Sequence, residues 1–102
     1  MSRILALLSQ PQVETEELQR LRNKLLPPYR VVLHDDDHNE MDFVVYALLH
    51  AINSLSPHEA KHIMLTAHLT GSATVIICPK ETAEYYQERL LSFGLTATIE
   101  PE

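Results

Sequence analysis

The stretch SPHEAKHIMLTAHLTGSATVIIC, residues 56–78, decides the fold because it holds a complete helix and the strand that follows it. Ser56 and Glu59 form the S-x-x-E pattern of a capping box at the helix start. Gly71 is typical of the left-handed residue at which a helix ends. The β-rich run SATVIIC, residues 72–78, predicts a strand. A helix followed at once by a strand indicates an α/β domain.

The sequence on both sides of this stretch supplies the remaining elements. YRVVLH and LTATIE, residues 29–34 and 95–100, predict two more strands. Helices are predicted over about 40–54 and from near Pro79 to Phe93. The order is β-α-α-β-α-β. We predict a two-layer α/β (α+β) sandwich, in which three helices pack on one face of a three-stranded antiparallel sheet. The strand order does not follow from the sequence.

The helix at about 40–54 begins after the polar loop DDDHNE, residues 35–40. Asn39 is placed to cap it, with Asp42 as the capping-box partner. Its apolar positions recur with helical spacing. They are Met41, Val44, Val45, Leu48, Ala51, Ile52 and Leu55.

Residues 1–28 are expected to form a flexible N-terminal extension before a core domain over 29–102. TEELQRLRNKLL within it predicts a short, transient helix with its leucines on one stripe. The initial run MSRILALLSQ is too short for the apolar region of a signal peptide. No stretch approaches the roughly 20 apolar residues of a membrane span, so we expect no membrane association.

Length and composition limit the possible functions. A chain of 102 residues suits one domain. The net charge of −6 argues against nucleic acid as a partner, because phosphate binding needs clustered Lys and Arg. The single cysteine, Cys78, lies in an apolar run and is expected to be buried. One cysteine supports no disulfide framework, so a reducing cytoplasm is expected.

HEAKH, residues 58–62, matches the zinc-hydrolase motif H-E-x-x-H. On a helical wheel, however, His58 and His62 fall opposite the apolar stripe, whereas a catalytic zinc needs ligands that point into a cleft. Glu59 is already used by the capping box. We therefore expect no metal and no cofactor, and keep a zinc hydrolase as a remote alternative.

Two other polar features are better candidates for a functional site. The run Asp35, Asp36 and Asp37 ends the first strand and is either a solvated loop or a site where a cationic ligand relieves carboxylate repulsion. His68 lies in the last helical turn, where a histidine also suits the helix dipole. Met41, Met64 and Ala67 are the soft or small residues near both features. Two methionines on facing helices fill a core or line an adaptable apolar pocket.

Several separated motifs resemble the ClpS family of adaptors for ATP-dependent proteolysis. The segments YRVVLHDDDHNEMDFVV, IMLTAHLTGSATV and KETAE are similar in order and spacing to family patterns such as Y-x-V-x-L-x-N-D-D-x-T-P-M-E-F-V and M-L-x-V-H-x-x-G-x-A. The resemblance covers about residues 28–100. It implies a non-catalytic adaptor that binds N-degrons beginning with Leu, Phe, Tyr or Trp. The adaptor then delivers the substrate to the N-domain of a ClpA/ClpC-type AAA+ unfoldase.

The resemblance also implies site residues. Asp35, Asp36 and His68 form a polar rim, with Asp36 accepting a hydrogen bond from the substrate ammonium group and His68 presenting a neutral ring nitrogen. The pocket is lined by Asp37, Asn39, Met41, Val44, Met64, Ala67 and Leu95. Glu81 and Tyr86 lie at the surface that faces the unfoldase, and the N-terminal extension acts in delivery.

The sequence departs from the family pattern in three places. Asp35 replaces Asn and adds a charge to the rim. Asn39 and Glu40 replace Thr-Pro, so a less stiff loop is expected. Ala67 replaces a larger aliphatic residue and widens the pocket wall. Because the rim is altered, a ClpS-like regulator of the unfoldase that does not read N-termini is the main alternative. Tyr86 stands where some members carry Lys, which leaves partner choice open.

Overall fold

The computed structural model describes residues 15–25 and 27–102. Its elements in chain order are α1 (Thr15–Leu25), β1 (Pro28–His34), α2 (Met41–Ala51), α3 (Pro57–Thr70), β2 (Ser72–Pro79), α4 (Lys80–Ser92) and β3 (Thr96–Pro101). The predicted β-α-α-β-α-β order from β1 onward is confirmed, and the helix predicted before it is α1. Residues 1–14 lie outside the described part, so the flexibility of the extension stays a prediction.

The sheet has the strand order β2-β1-β3, and both pairings are antiparallel. The first strand of the chain is therefore the central one. Leu33 stands opposite Ala73 on one side and Ala97 on the other. A register shift between Val31 and Val32 interrupts the pairing with β2, which is typical of a β-bulge. Because β1 is central, its C-terminal end and the loop that follows lie between the ends of β2 and β3.

The core lies between the sheet and α2, α3 and α4, which cover the same face. Val31, Leu48, Ile52 and Leu90 are its largest fully buried side chains. Burial of each contributes about 1.5–3 kcal/mol. The predicted two-layer arrangement is confirmed. Among the described residues, no helix is long and apolar enough to cross a membrane.

Helix α3 begins and ends as its sequence predicts. The Ser56 hydroxyl accepts the Glu59 N–H at 3.1 Å, and Glu59 Oε1 accepts the Ser56 N–H at 2.9 Å. These bonds, with a smaller effect from His58, hold the pKa of Glu59 below its ordinary value. Gly71 ends the helix with φ of 101°, a conformation that favours glycine. The capping box fixes where the HEAKH segment starts.

The predicted cap of α2 is wrong. Glu40, not Asn39, is the N-cap residue, and its side chain makes no capping hydrogen bond. The Asn39 side chain instead connects the loop to the turn before β3, where its Nδ2 donates to Asp36 Oδ2 and to the Gly94 carbonyl. Asp42 lies in the first turn but has no Asn39 partner for a capping box. The helix also ends earlier than predicted, at Ala51, since the next residue has an extended backbone.

Candidate ligand-binding cleft

The cleft has a volume of about 630 Å³ and opens where the loop after β1 meets the start of α2 and the end of α3. All ten residues predicted for the rim and pocket line it. They are Asp35, Asp36, Asp37, Asn39, Met41, Val44, Met64, Ala67, His68 and Leu95. Residues 59 positions apart in sequence, such as Asp36 and Leu95, meet here because β1 is the central strand and β3 is its neighbour.

The outer rim is formed by Asp35 and His68. The Asp35 N–H donates to the Gly71 carbonyl at 2.9 Å, which attaches the first rim residue to the end of α3. His68 lies in the last turn of that helix, and its Nδ1 is 3.7 Å from Asp35 Oδ1. The side chain of His68 is 46% exposed and that of Asp35 is 40% exposed. The separation is longer than a hydrogen bond, so both atoms remain open to a further partner.

Asp36 has a different environment, because it is held inside the loop. Oδ1 accepts the N–H groups of His38 and Asn39 at 3.2 and 2.9 Å. Oδ2 accepts from Asn39 Nδ2 at 2.9 Å and from the Thr96 hydroxyl at 3.3 Å. Burial acts to raise the pKa of Asp36, but the hydrogen bonds from Asn39, with His38 nearby, hold the pKa below its ordinary value. The Asp36 side chain is 11% exposed.

Asn39 connects the loop to the turn before β3. Its side-chain Nδ2 donates both to Asp36 Oδ2 and to the Gly94 carbonyl, each at 2.9 Å. Gly94 has φ of 85° and directly precedes Leu95, which is buried in the cleft wall. Asn39, which replaces the family threonine, thus restrains the loop. The loss of the family proline at the next position had predicted a less stiff loop.

The inner wall of the cleft is apolar. Met64, Ala67 and Leu95 are buried, with exposures of 7%, 3% and 3%. Val44 is half-buried, and Met41 is 44% exposed at the mouth. Methionine side chains adapt their shape, and alanine leaves space. The wall therefore accommodates a bulky apolar side chain.

Charge in the cleft is one-sided. The carboxylates of Asp35, Asp36, Asp37 and Glu40 line it, and none of the described lining residues is Lys or Arg. A cationic group is attracted to this field, and an anionic one is repelled. The cleft suits a ligand with a positive charge at one end and an apolar group at the other.

The HEAKH residues lie elsewhere. His58, Glu59 and His62 are exposed, whereas Ala60 and Ile63 of the same helix are buried. The predicted orientation of the two histidines is confirmed. They border a second, shallower cleft of about 420 Å³. Within residues 15–25 and 27–102, no group of three His, Cys, Asp or Glu side chains is arranged to hold a metal ion.

The other predicted residues also have definite positions. Glu81 is exposed in the first turn of α4, and Tyr86 is half-buried against the core. Cys78 is half-buried at the end of β2, and burial raises the pKa of its thiol.

The cleft includes residues that the sequence did not single out. Leu33, His34 and His38 also line it, together with Glu40, which the sequence indicated only as a departure from the family pattern. Because these residues are next to the aspartate run in sequence, their place in the cleft could have been predicted. Thr96, which bonds Asp36 from 60 positions away, carried no signal, since only the pairing of β1 with β3 brings it close.

Together, the two-layer fold and the cleft define a small α+β domain suited to a ligand that is polar at one end and apolar at the other. The family model described as ATP-dependent Clp protease adaptor protein ClpS matches residues 24–98. The adapter protein ClpS of Gloeobacter violaceus is 44% identical over 89 residues, covering 87% of this chain and 96% of the relative. The chain belongs to the ClpS family of Clp protease adaptors.

Two further similarities extend this picture. The chloroplastic adapter CLPS1 of Arabidopsis thaliana is 38% identical over 92 residues, which cover 90% of this chain and 58% of the relative. A solved structure of Agrobacterium tumefaciens ClpS2 bound to L-phenylalaninamide is similar with a TM-score of 0.69 and 32% identity. That similarity covers 74% of this chain and 96% of the other.

Proposed function

We propose that this adaptor binds proteins whose N-terminal residue is bulky and hydrophobic, such as Leu, Phe, Tyr or Trp, and delivers them to a ClpA/ClpC-type AAA+ unfoldase without catalysing a reaction itself. The observation that carries the proposal is the division of the cleft into an acidic rim and a buried apolar wall. An N-terminal residue has the matching division, because its ammonium group and its side chain leave the same carbon atom.

The two halves of the cleft contribute in different ways. A charge-assisted hydrogen bond to the rim is stronger than a neutral one and requires a free amine. Burial of a Leu or Phe side chain against Met64, Ala67 and Leu95 contributes about 1.5–3 kcal/mol. The ligand of the Agrobacterium relative, L-phenylalaninamide, has an α-amine and an aromatic side chain in this relation, which supports the proposal.

The direct test is a polarisation screen with labelled peptides that differ only in the first residue. Peptides beginning with Leu, Phe, Tyr or Trp are expected to bind, and those beginning with Gly or Glu are not. Acetylation of the α-amine is expected to abolish binding because it removes the charge. Equal affinity for free and acetylated peptides would refute the proposal.

Delivery requires a surface apart from the cleft. Glu81 is exposed at the start of α4, and we propose it as a contact of the unfoldase N-domain, with Tyr86 on the same helix. Reversing the charge in Glu81→Lys is expected to weaken binding to that N-domain while peptide affinity stays unchanged. Loss of both would point to misfolding.

We propose the cytoplasm as the compartment; one relative is chloroplastic.

The same screen separates the alternatives. A regulator that does not read N-termini is favoured only by the altered rim, at Asp35, Asn39 and Glu40. It predicts binding to the unfoldase N-domain and no affinity for any first residue. A zinc hydrolase predicts one tightly bound zinc that is lost in His58→Ala, which elemental analysis measures.

A further inference from the structure

Strand β2 lies at an edge of the sheet, and its outer edge lacks the usual protection against pairing with another chain. Edge strands are commonly kept short or given charged side chains. β2 has eight residues, none of them charged, and its one proline is the last residue. The other edge strand, β3, has six residues and carries Glu100. The free edge of β2 is therefore the better suited of the two to pair with a further strand.

Backbone hydrogen bonds around β1 show which groups of β2 face this free edge. The Glu102 N–H donates to the Pro28 carbonyl, so even-numbered residues of β1 bond to β3 and odd-numbered ones bond to β2. The Asp35 N–H, which donates to the Gly71 carbonyl, follows the same alternation. Thr74 stands opposite an even-numbered residue of β1. Its N–H and C=O therefore point towards the free edge, and no described residue bonds to them.

Helix α3 exposes a row of side chains that suits packing against another helix. The row consists of His58, His62, Leu65 and Leu69, which we call the α3 seam. All four are exposed, and Leu69 is 77% exposed. Their spacing of four, three and four residues is that of the a and d positions through which two helices pack. The seam contains no Lys, Arg, Asp or Glu.

The second cleft, of about 420 Å³, lies between the α3 seam and the free edge of β2. His58 and His62 line it from the helix, and Thr74 and Val75 line it from the strand. The seam is thus on the side of α3 that borders the free edge, and its middle is level with Thr74. A partner that covers one of these two features also covers the other.

A second copy of the chain fits both features at once. Two β2 strands that pair antiparallel about a two-fold axis at Thr74 exchange two hydrogen bonds between one Thr74 and the other. The same axis sets the two α3 helices side by side and antiparallel. His62 then faces Leu65 of the partner subunit, and His58 faces Leu69 of the partner subunit. Because neither the seam nor β2 carries a carboxylate, the net charge of −6 on each copy is not concentrated at this contact.

From these features we infer that the chain forms a two-fold homodimer through the α3 seam and the edge of β2 at Thr74. Val75 has no partner on β1, so a bulge limits the length of strand that can pair, and the helices supply most of the contact. We expect an interface below the roughly 1,200 Å² of a standard complex and a dissociation constant on the order of 10–100 μM.

The ligand-binding clefts stay open in this dimer. Each cleft lies at the end of its own α3, and antiparallel helices place the two ends on opposite sides of the axis. The dimer thus presents two separate clefts. The inference does not depend on what those clefts bind, so it stands or falls apart from the proposed function.

Sedimentation velocity from roughly 5 to 500 μM, a range around the expected constant, tests the dimer. The wild type should shift from monomer to dimer over this range. Leu69→Glu places a carboxylate in the seam and is expected to raise the dissociation constant at least tenfold. Leu91→Glu is the matched control, since Leu91 is a 49% exposed leucine on α4, and it should leave the dimer intact. Both positions are exposed, so the thermal midpoint of the monomer should change little in either variant.

A cysteine at the axis tests the register. In a Cys78→Ser background, Thr74→Cys should form a disulfide-linked dimer with oxidised glutathione, because directly bonded antiparallel residues have Cα atoms about 5.5 Å apart. Thr98→Cys, at an exposed position of β3, should not. Equal cross-linking of the two variants would contradict an axis at Thr74.

A protein that stays monomeric at every concentration overturns the inference, and so does a dimer that Leu69→Glu does not weaken. In such a monomer, nuclear Overhauser effects between the Leu69 methyl groups and residues 4–8 would assign the α3 seam to the N-terminal segment of the same chain instead.

Discussion

Replacing Asn39 with Ala removes two side-chain hydrogen bonds that hold the rim loop to the turn before β3. One goes to the carboxylate of Asp36 and the other to the carbonyl of Gly94, each at 2.9 Å. A bond to a charged group contributes about 1.5–3 kcal/mol, and a neutral one about 0.5–1.5 kcal/mol. Because the bond to Gly94 is solvent-exposed, the lower values apply. The free energy of unfolding should fall by about 2 kcal/mol.

The loss should depend on pH in a defined direction. Asp36 has a folded-state pKa below its usual 3.8. Its contribution to stability is therefore present above the unfolded pKa and is lost as the pH falls through the folded pKa. Asn39→Ala moves the pKa of Asp36 back towards the usual value. The stability difference between the two proteins is expected to be full near neutral pH and to shrink below about pH 4.

Urea unfolding followed by circular dichroism, repeated over a pH series, measures both effects. In a separate thermal unfolding experiment near neutral pH, the melting temperature of Asn39→Ala should be lower than that of the wild type by roughly 8–16 °C. Asn53→Ala is the matched control, since Asn53 is exposed between α2 and α3. A variant within about 0.5 kcal/mol of this control, or a difference that does not change with pH, would refute the assigned role of Asn39.

Three further predictions follow from other parts of the molecule. Ser56→Ala removes the hydroxyl that accepts the Glu59 N–H and should cost about 1 kcal/mol in urea unfolding. The pKa of Glu59 should stay below its ordinary value in an NMR titration, because the Ser56 N–H that chiefly lowers it is kept by alanine; a stability loss below about 0.5 kcal/mol would contradict the cap. Ala67→Val narrows the cleft wall, so affinity for a Trp-initiated peptide should fall about tenfold relative to a Leu-initiated one in the polarisation assay; equal losses would place Ala67 away from the bound side chain. Burial raises the pKa of Cys78, so its reaction with iodoacetamide near neutral pH should be slower than that of a free cysteine, and an equal rate would contradict its burial.

The predicted fold was largely confirmed because its signals are local. The start and end of α3 depend on Ser56, Glu59 and Gly71, which act within one helical turn of the chain. The cap of α2 was predicted wrongly because contacts between distant parts of the chain, not local signals, decide it. A local rule assigned the Asn39 side chain to the helix start, whereas the bonds that its Nδ2 donates to Asp36 and to distant Gly94 hold it at the turn before β3.

The sequence by itself determined the order of the elements, since β-rich runs mark the strands and periodicity marks the helices. Helical periodicity also determined the buried faces of the helices and the exposure of His58 and His62. The resemblance supplied the residues expected at the cleft. Only the tertiary structure decided the strand order and the different environments of Asp35 and Asp36. Those environments depend on atoms from Gly71, Gly94 and Thr96, and no local pattern specifies which oxygen a distant donor reaches.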